Sequence, residues 1–276
     1  MFDLFKYKLR KIKSNAWKSK GKAIVYNLQT EIKGDYQDFL TSDYIKELTT
    51  RVDKGKKVLD LGCGTGVLSL ALANFGYKVS SLDISEEMLN QLKQKINDLS
   101  VEIQQGDVFK LPYPNENFDG IITRWVIPHF SEWPLIIQEA ARVLKKDGIF
   151  VFDMSSKENY LIAEKNSNID FSRFGCNPYN EKAKNYYASA TADEIKLTAK
   201  ISTLKIIAII PNGFYRTNAL FSSSLNVEEY ILFMEKFKEY YKNESVASFI
   251  QWFDLLITKK LPTSLVNTLT IVAQKL

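Results

Sequence analysis

Short strand-like segments alternate with helix-like segments between residues 57 and 154, and this alternation constrains the fold of the 276-residue chain more than any other feature. The strand-like segments are KVLDL, KVSSLD, VEIQQ, FDGIIT and IFVFDM, and helical patterns of apolar residues stand between most of them. Strands joined by helices pair in parallel through right-handed crossovers, with helices on both faces of the sheet. The sequence therefore predicts a doubly wound, Rossmann-like α/β domain.

The second half of the chain continues this pattern after an interruption. Residues 155–190 show no clear strand, and Thr191 and Glu194 then have the spacing of a capping box at the start of a helix. LKIIAII at 204–210 and the closing TLTIVAQK have strand character, which brings the predicted sheet to seven strands.

The turn after the first strand is rich in glycine. VLDLGCGTG places Gly62, Gly64 and Gly66 between a strand and a helix, where the backbone can approach a ligand closely. A dinucleotide-binding fingerprint would place its third glycine at Val67, so the spacing argues against a nicotinamide oxidoreductase. Asp60, inside the strand end, suits a ligand with an ammonium group and a sulfonium better than a pyrophosphate.

Acidic residues also end the second and third predicted strands. Asp83 stands 21 residues after Gly62, the place where doubly wound nucleoside-binding proteins have a carboxylate for the ribose hydroxyls. Asp107 is placed to accept from an adenine amino group beside the backbone of Val108, and Met88 on the next helix can cover a purine face. A single acidic strand end is usually a cap or a solvated turn, but three in order predict a nucleoside site.

These segments resemble the class I S-adenosylmethionine-dependent methyltransferases, in particular the small-molecule group that includes the quinone-biosynthesis enzymes. The resemblance rests on VLDLGCGTG, SLDIS, GDVFKLPYPNENFDGI and EAARVLKKDGIFVF; it is good over residues 20–155 and loose over 191–276. It implies S-adenosylmethionine as the cofactor and an antiparallel last strand at the sheet edge. By the same resemblance, Gly62 and Gly64 would line the methionine part of the cofactor.

The resemblance also implies further site residues and a division of the chain. It assigns Asp83 to the ribose and Asp107 with Val108 to adenine, in agreement with the spacing. AIVYN at 23–27 is similar to a segment that folds over the cofactor in this family, which nominates Tyr26, and Arg124 matches a position near the methionine end. We expect a basic arm and lid over 1–45 and a methyltransferase domain over 46–276, with insertions at 155–190 and 215–262 that form a substrate cap.

His129 in TRWVIPHF is the single histidine of the chain, shortly after the fourth predicted strand. Methyl transfer from a sulfonium is an in-line displacement, in which an alcohol or phenol acceptor gains from a general base and an amine does not need one. His129 is therefore the candidate base, and an oxygen acceptor follows from that assignment. The structural alternative is that His129 orients its loop and caps a helix that begins near Ser131.

The expected acceptor is a small molecule, such as a sugar, a lipid-linked intermediate, a phenol or an acid. N-methylation of a small amine and S-adenosylmethionine binding without turnover remain alternatives. Nucleic-acid bases are disfavoured because TRWVIPHF replaces the Asn/Asp/Ser-Pro-Pro-aromatic segment that such enzymes carry after the fourth strand. The charge agrees, since the chain is net −2 outside its first 22 residues.

Residues 1–22 carry eight of the 37 basic residues and one of the 32 acidic ones. Phe2, Phe5, Leu9 and Ile12 fall near one helical face, so this arm would suit peripheral contact with a membrane or packing on the domain. With no long apolar run, no secretory cleavage site and two cysteines, the sequence predicts a cytoplasmic protein. It does not indicate an oligomeric state.

Overall fold

A computed structural model describes residues 38–166, 188–212, 236–237 and 239–276. Its centre is a single twisted sheet in the order β3-β2-β1-β4-β5-β8-β7, with the short β6 paired to the end of β5. The strands are β1 (Lys57–Leu61), β2 (Lys78–Asp83), β3 (Val101–Gln105), β4 (Phe118–Ile122), β5 (Leu144–Ser156), β6 (Ser189–Ala190), β7 (Leu204–Asn212) and β8 (Thr268–Lys275).

Helices flank the sheet on both sides. They are α1 (38–49), α2 (Val67–Asn74), α3 (Glu86–Lys93), α4 (Trp133–Val143), α5 (Lys157–Asn166), α6 (Ala192–Ile201) and α7 (Glu244–Leu256). Short 3₁₀ turns cover Ile127–His129, Thr258–Lys260 and Thr263–Leu265.

The predicted doubly wound architecture is confirmed. Strands β1 to β5 pair in parallel, and the last strand, β8, runs antiparallel to β5 and β7 as expected. Its expected place at the sheet edge was wrong: β8 lies between β5 and β7 because both pair with it, and β7 forms the edge. The sheet has one strand more than the seven predicted, because the two-residue β6 adds to β5 through the pair Ser155 and Ser189. A strand of two residues is too short to show alternation in the sequence.

The sheet separates two apolar clusters. On one face Leu59, Ile121 and Phe150 pack with α4 and α6, and on the other Val58, Ile122 and their neighbours pack with α1 and α2. The alternation of side chains along each strand sends neighbouring residues to opposite faces, so strands buried on both sides read as continuous apolar runs. This burial fixes the register of β1 and β4 and therefore the position of the loops that follow them.

Most helix starts agree with the sequence. The Ser85 hydroxyl caps α3 by accepting from the Met88 N–H, and Thr191 and Glu194 form the expected capping box of α6. The helix expected near Ser131 is present as α4, which begins at Trp133 with Glu132 at its N-cap. Ser131 does not cap it, because its hydroxyl donates to the Glu132 carboxylate.

The topology gathers the loops that matter at one edge of the sheet. The strand order reverses between β1 and β4, and in open α/β sheets ligands bind at such a switch point, beyond the carboxyl ends of the strands. The glycine-rich turn follows β1 there, and the segment of Arg124 and Trp125 follows β4.

Several predictions fall outside the described residues. They concern Tyr26, the basic arm 1–22, and much of the two insertions, so the division into arm, domain and cap remains a prediction. In the parts of the chain that the structure describes, no helix combines the length and apolar character needed to cross a bilayer.

Candidate active site

The glycine-rich turn leaves β1 in left-handed conformations. Gly62 has φ +74° and Gly66 has φ +90°, values that residues with a Cβ rarely adopt. The N–H groups of Gly62 and Cys63 both donate to the Leu82 carbonyl at the end of β2, at 2.7 and 2.9 Å. The turn is therefore fastened to the neighbouring strand before α2 begins.

The glycines in this turn also make room for protein side chains. A Cβ built on Gly62 would lie 2.4 Å from Val126 Cγ2, and one built on Gly66 would lie 2.2 Å from Leu92 Cδ1. The sequence pattern alone indicated that these glycines allow a ligand to approach the backbone closely. The structure shows that packing within the protein already requires glycine at these two positions.

Asp83, the last residue of β2, ties the turn to α3. Its Oδ2 accepts from the Gly64 N–H at 2.9 Å and its Oδ1 accepts from the Ser85 N–H at 2.8 Å. Burial raises the pKa of Asp83, and the backbone hydrogen bonds act in the opposite direction. A carboxylate has about four lone-pair directions, so each oxygen can still accept from a ligand hydroxyl.

Asp60 lies beneath the turn with only 1% of its surface exposed. Its Oδ2 accepts from the Ser69 hydroxyl at 2.6 Å, and the Ser81 hydroxyl donates in turn to Ser69 Oγ at 2.7 Å. Burial raises the pKa of Asp60 to about 7, although the hydrogen bond from Ser69 favours the charged form. The carboxylate is thus poised to gain from a nearby positive charge.

The residues proposed for adenine lie beyond the ends of β2 and β3. Met88 is buried in the first turn of α3, and Val108 is buried in the turn after β3. Asp107 Oδ1 accepts from the Phe109 N–H at 3.0 Å, which folds this turn back on itself. Asp107 is partly exposed, so its carboxylate remains accessible from outside.

The segment after β4 is held by a second buried carboxylate. Trp125 has φ +59°, and its N–H donates to both oxygens of Asp153 on β5, at 2.9 and 3.0 Å. Asp153 is only 2% exposed, and this burial raises its pKa to about 7 while the charge of Arg124 acts to lower it.

Helix α1 holds the same segment from the opposite side. Arg124 Nη1 donates to Thr41 Oγ1 at 2.5 Å, and the guanidinium lies 5.7 Å from the centroid of the Tyr44 ring. The Tyr44 hydroxyl donates to the Thr123 carbonyl. A small pocket opens between these groups and the far strands, lined by Leu40, Tyr44, Arg124, Trp125, Asp153, Asn212, Thr268 and Thr270.

His129 is the last residue of the 3₁₀ turn that follows. Its side chain is partly buried, and its ring lies edge-on to that of Phe130, with 6.5 Å between the ring centroids. The backbone N–H of His129 donates to the Val126 carbonyl at 3.1 Å. The carbonyl of the preceding Pro128 accepts from the Ala188 N–H at 2.6 Å. The imidazole is thus carried by a turn that hydrogen bonds fix at two points.

Comparison with known proteins identifies this part of the chain. Residues 59–152, from β1 into β5, match the family described as "Methyltransferase domain". This segment is a methyltransferase domain. Among curated relatives, an uncharacterized methyltransferase named YcgJ from Bacillus subtilis (strain 168) is 36% identical over 98 residues, covering 34% of this chain and 39% of that protein.

A second curated relative and a solved structure are also similar to this chain. A demethylmenaquinone methyltransferase from Symbiobacterium thermophilum is 35% identical over 117 residues, covering 39% of this chain and 46% of that protein. A solved S-adenosylmethionine-dependent methyltransferase from Thermotoga maritima, described as a possible histamine N-methyltransferase, shares the fold with a TM-score of 0.58 at 15% identity. It covers 93% of this chain and 98% of that one.

The chain spans less than half the length of the curated relatives named here. The shared part is the methyltransferase domain with its glycine-rich turn. S-adenosylmethionine is the cofactor of this family, as the sequence predicts.

The described residues of the methyltransferase domain fit this cofactor by their chemistry. Asp83 has free lone pairs beside the turn, and Asp60 is a buried carboxylate with no positive partner among the hydrogen bonds that fix it. Hydroxyl groups of a ribose and the ammonium of a methionine moiety match these two acceptors. The apolar surfaces of Met88 and Val108 suit a purine.

The structure brings most of the proposed site residues to one edge of the sheet. Asp60, Gly62, Gly64 and Asp83 are linked through the turn and β2, while Met88, Asp107 and Val108 follow β2 and β3. Arg124 and His129 follow β4. Their roles toward cofactor and acceptor remain predictions.

Sequence reasoning missed three residues that hold the segment after β4 in place: Thr41, Tyr44 and Asp153. The signal for Asp153 was present, because an acidic residue inside the apolar strand IFVFDM repeats the pattern of Asp60 in KVLDL. Buried acidic residues need a partner, so this pattern indicates a specific contact. Thr41 and Tyr44 carry no comparable signal.

Proposed function

We propose that this protein transfers a methyl group from S-adenosylmethionine to a small-molecule acceptor, at an oxygen atom. The observation that carries the proposal is the turn after β1, held by Asp83 and lying over Asp60 inside the matched domain. Two carboxylates at neighbouring strand ends suit a ligand with a ribose and a cationic tail. Asp60, beneath the turn, would repel a pyrophosphate lying over it, whereas a carboxylate in the place of Asp83 also serves the ribose of a dinucleotide.

Each site residue has a role in this proposal. Asp83 accepts hydrogen bonds from the ribose hydroxyls, and Asp60 provides negative charge for the ammonium group. Asp107 and the backbone of Val108 recognise adenine, and Met88 covers its face. Gly62 and Gly64 lie along the methionine part, with Arg124 and Tyr26 closing that end. When bound, the cofactor supplies a methyl group on a sulfonium, and these residues hold it in line with the acceptor.

The choice of oxygen rests on His129. Its ring stands on a turn fixed by hydrogen bonds, close after the strand end where ligands of such sheets bind. A neutral imidazole there takes the proton that a hydroxyl acceptor loses. The relatives' names include both demethylmenaquinone and histamine, so the acceptor of this chain is inferred from His129 and not from them.

The first experiment measures cofactor binding. Isothermal titration calorimetry with S-adenosylmethionine and S-adenosylhomocysteine is expected to show one site, with no heat from NAD. An Asp83→Ala variant should lose most of the affinity, because both backbone N–H groups and the ribose would lose their acceptor. Binding of NAD would contradict the proposal.

The second experiment measures methyl transfer to phenols, sugars, carboxylic acids and amines across pH. We expect transfer to a hydroxyl acceptor, and a rate that falls on acidification as the base becomes protonated. His129→Gln keeps a hydrogen-bonding side chain without basicity, so both His129→Gln and His129→Ala should lose about 10²-fold or more in rate. A full rate in His129→Gln would assign His129 to loop orientation. Transfer to amines alone, or binding without transfer, would support one of the alternative functions.

A further inference from the structure

We propose that Asp153 is a positioning residue, whose carboxylate holds Trp125 in a left-handed conformation and thereby sets Val126 against Gly62 of the cofactor turn. The proposal rests on the proposed function, because it concerns how the segment after β4 shapes the cofactor site. The position of the turn after β1 would then depend on the segment after β4, and the conformation of that segment would depend on Asp153 in β5.

The first step is the end of the ladder between β4 and β5. The Thr123 N–H donates to the Val151 carbonyl at 3.0 Å, as in a regular parallel pair. Two residues further, the same ladder would bring the Trp125 N–H to the Asp153 carbonyl. The Asp153 side chain accepts this N–H instead, through both oxygens. The carboxylate thus replaces the backbone acceptor at the point where the chain leaves the sheet.

The second step is the conformation of Trp125. A φ of +59° is uncommon for a bulky residue and persists only where the surroundings impose it. The charge-assisted hydrogen bond from its N–H to a buried carboxylate is such a constraint. Without this acceptor, the Trp125 N–H would also be left unsatisfied in a partly buried place.

The third step is the contact that this conformation produces. Val126, the next residue, lies so close to Gly62 that a Cβ on the glycine would be 2.4 Å from Val126 Cγ2. Gly62 in turn donates to Leu82 at 2.7 Å, and Gly64 donates to Asp83 at 2.9 Å. A change of backbone direction at Trp125 would therefore move Val126 away from the turn that the cofactor contacts.

Helix α1 supports the same arrangement from outside the sheet. Thr41 accepts from the side chain of Arg124, and Tyr44 donates to the carbonyl of Thr123. These contacts hold Thr123 and Arg124 in place even if the backbone at Trp125 changes direction. The bend is thus concentrated at Trp125, where Asp153 acts.

The test compares Asp153→Leu and Asp153→Asn, each alone and combined with Trp125→Gly. The Kd for S-adenosylhomocysteine is measured by titration calorimetry at a temperature where every variant is folded. We expect Asp153→Leu to weaken binding at least tenfold, and Asp153→Asn, whose amide oxygen still accepts from Trp125, to weaken it less. Glycine adopts positive φ freely, so in the Trp125→Gly background Asp153→Leu should change the Kd by less than threefold.

Tyr77→Phe is the matched control. It removes another buried hydrogen bond, from the Tyr77 hydroxyl to the Val52 carbonyl at 2.6 Å, next to the amino end of β2 and away from the cofactor turn. We expect this variant to lose stability without a change in Kd. A wild-type Kd in Asp153→Leu, with stability lowered as in Tyr77→Phe, would overturn the positioning role.

A measurement without ligand separates this inference from the proposed function. Amide hydrogen exchange at Gly62 and Gly64, followed by NMR, should accelerate in Asp153→Leu and remain unchanged in Tyr77→Phe. Unchanged exchange in Asp153→Leu would contradict the inference whether or not the protein binds S-adenosylhomocysteine. Failure of the wild-type protein to bind it, together with accelerated exchange, would instead contradict the proposed function alone.

Discussion

The carboxylate of Asp60 is buried, and its hydrogen-bond donor is a neutral hydroxyl and not a cation. Ser69 donates to it, and Ser81 donates to Ser69, so the serines orient the carboxylate without neutralising it. Its pKa of about 7 reflects the cost of burying the charge. A ligand ammonium group would recover part of this cost by stabilising the ionised form.

Binding of S-adenosylhomocysteine should therefore depend on pH near neutrality. A cationic ligand lowers the pKa of Asp60, so binding releases a proton and the affinity should fall as the pH drops from 8 to 6. Titration calorimetry at several pH values measures this dependence, which Asp60→Asn should reduce while also weakening binding at pH 8.

Asp119→Asn provides the control for that experiment. Asp119 is a carboxylate on β4 whose pKa is lowered by Lys145 and by the Lys57 N–H, although burial opposes the shift. It is ionised throughout the range from pH 6 to 8, so its loss should leave the pH dependence of binding as in the wild type. An equal loss of pH dependence in both variants would contradict the role of Asp60.

The sequence predicted individual site residues where spacing along the chain specifies position. Asp60, Gly62 and Asp83 belong to one strand-turn-helix unit and its neighbour, so their separation in sequence translates directly into geometry. Asp153 meets Trp125 across 28 residues through strand pairing. The pairing register, which sequence patterns leave open, decides that contact.

At the scale of elements, Gly62 in the turn between β1 and α2 can be compared with Gly55, which precedes β1. Gly55 and Gly62 have similar left-handed conformations, with φ of +81° and +74°. Nothing lies within 4 Å of a Cβ built on Gly55, whereas one built on Gly62 would collide with Val126. Alanine at either position introduces backbone strain of about 1–2 kcal/mol, and at Gly62 it also introduces the collision.

Gly62→Ala should thus lower the free energy of unfolding by about 1–3 kcal/mol more than Gly55→Ala does. Urea unfolding followed by circular dichroism measures the difference. In a Val126→Ala background the excess should largely disappear, because the colliding methyl groups are absent. Equal losses in the two alanine variants would show that the contact between Val126 and the turn is loose, and would also weaken the case for Asp153.

Elements with local signals were predicted well, and those that depend on partners were not. Thr191 caps its helix as expected because the capping residue and its target N–H are three residues apart, and Ser85 caps α3 with the same spacing. Helix α4 begins two residues after Ser131, with a proline in its first turn and a core contact through Trp133. Strand β6 exists only because β5 extends far enough to pair with it.

At the scale of the whole molecule, the fold buries two carboxylates under the edge of the sheet that carries the site. Asp60 on β1 and Asp153 on β5 both have a pKa of about 7 because burial penalises their charged forms. In an unfolded chain an aspartate has a pKa of about 3.9. Between these values the folded protein keeps protons that the unfolded chain releases.

The free energy of unfolding should therefore fall as the pH rises from about 5 to about 7, by at most ~1.4 kcal/mol per pH unit for each group. Carboxylates with a lowered pKa, such as Asp119, Glu139 and Glu194, affect stability only at lower pH, because they are ionised in both states above pH 5. Urea unfolding at pH 5, 6, 7 and 8 measures the slope.

Asp60→Asn and Asp153→Asn should each reduce this slope, and the double variant should leave only the contribution of Asp83, whose pKa burial also raises. His129 is present in all of these proteins, so the differences between their slopes isolate the two aspartates. S-adenosylhomocysteine at saturation should flatten the wild-type slope as well, because the bound ligand favours ionised Asp60. A slope that both substitutions leave unchanged would mean that the two carboxylates are ionised in the folded protein well below pH 7, with a stronger partner than the serines and the Trp125 N–H.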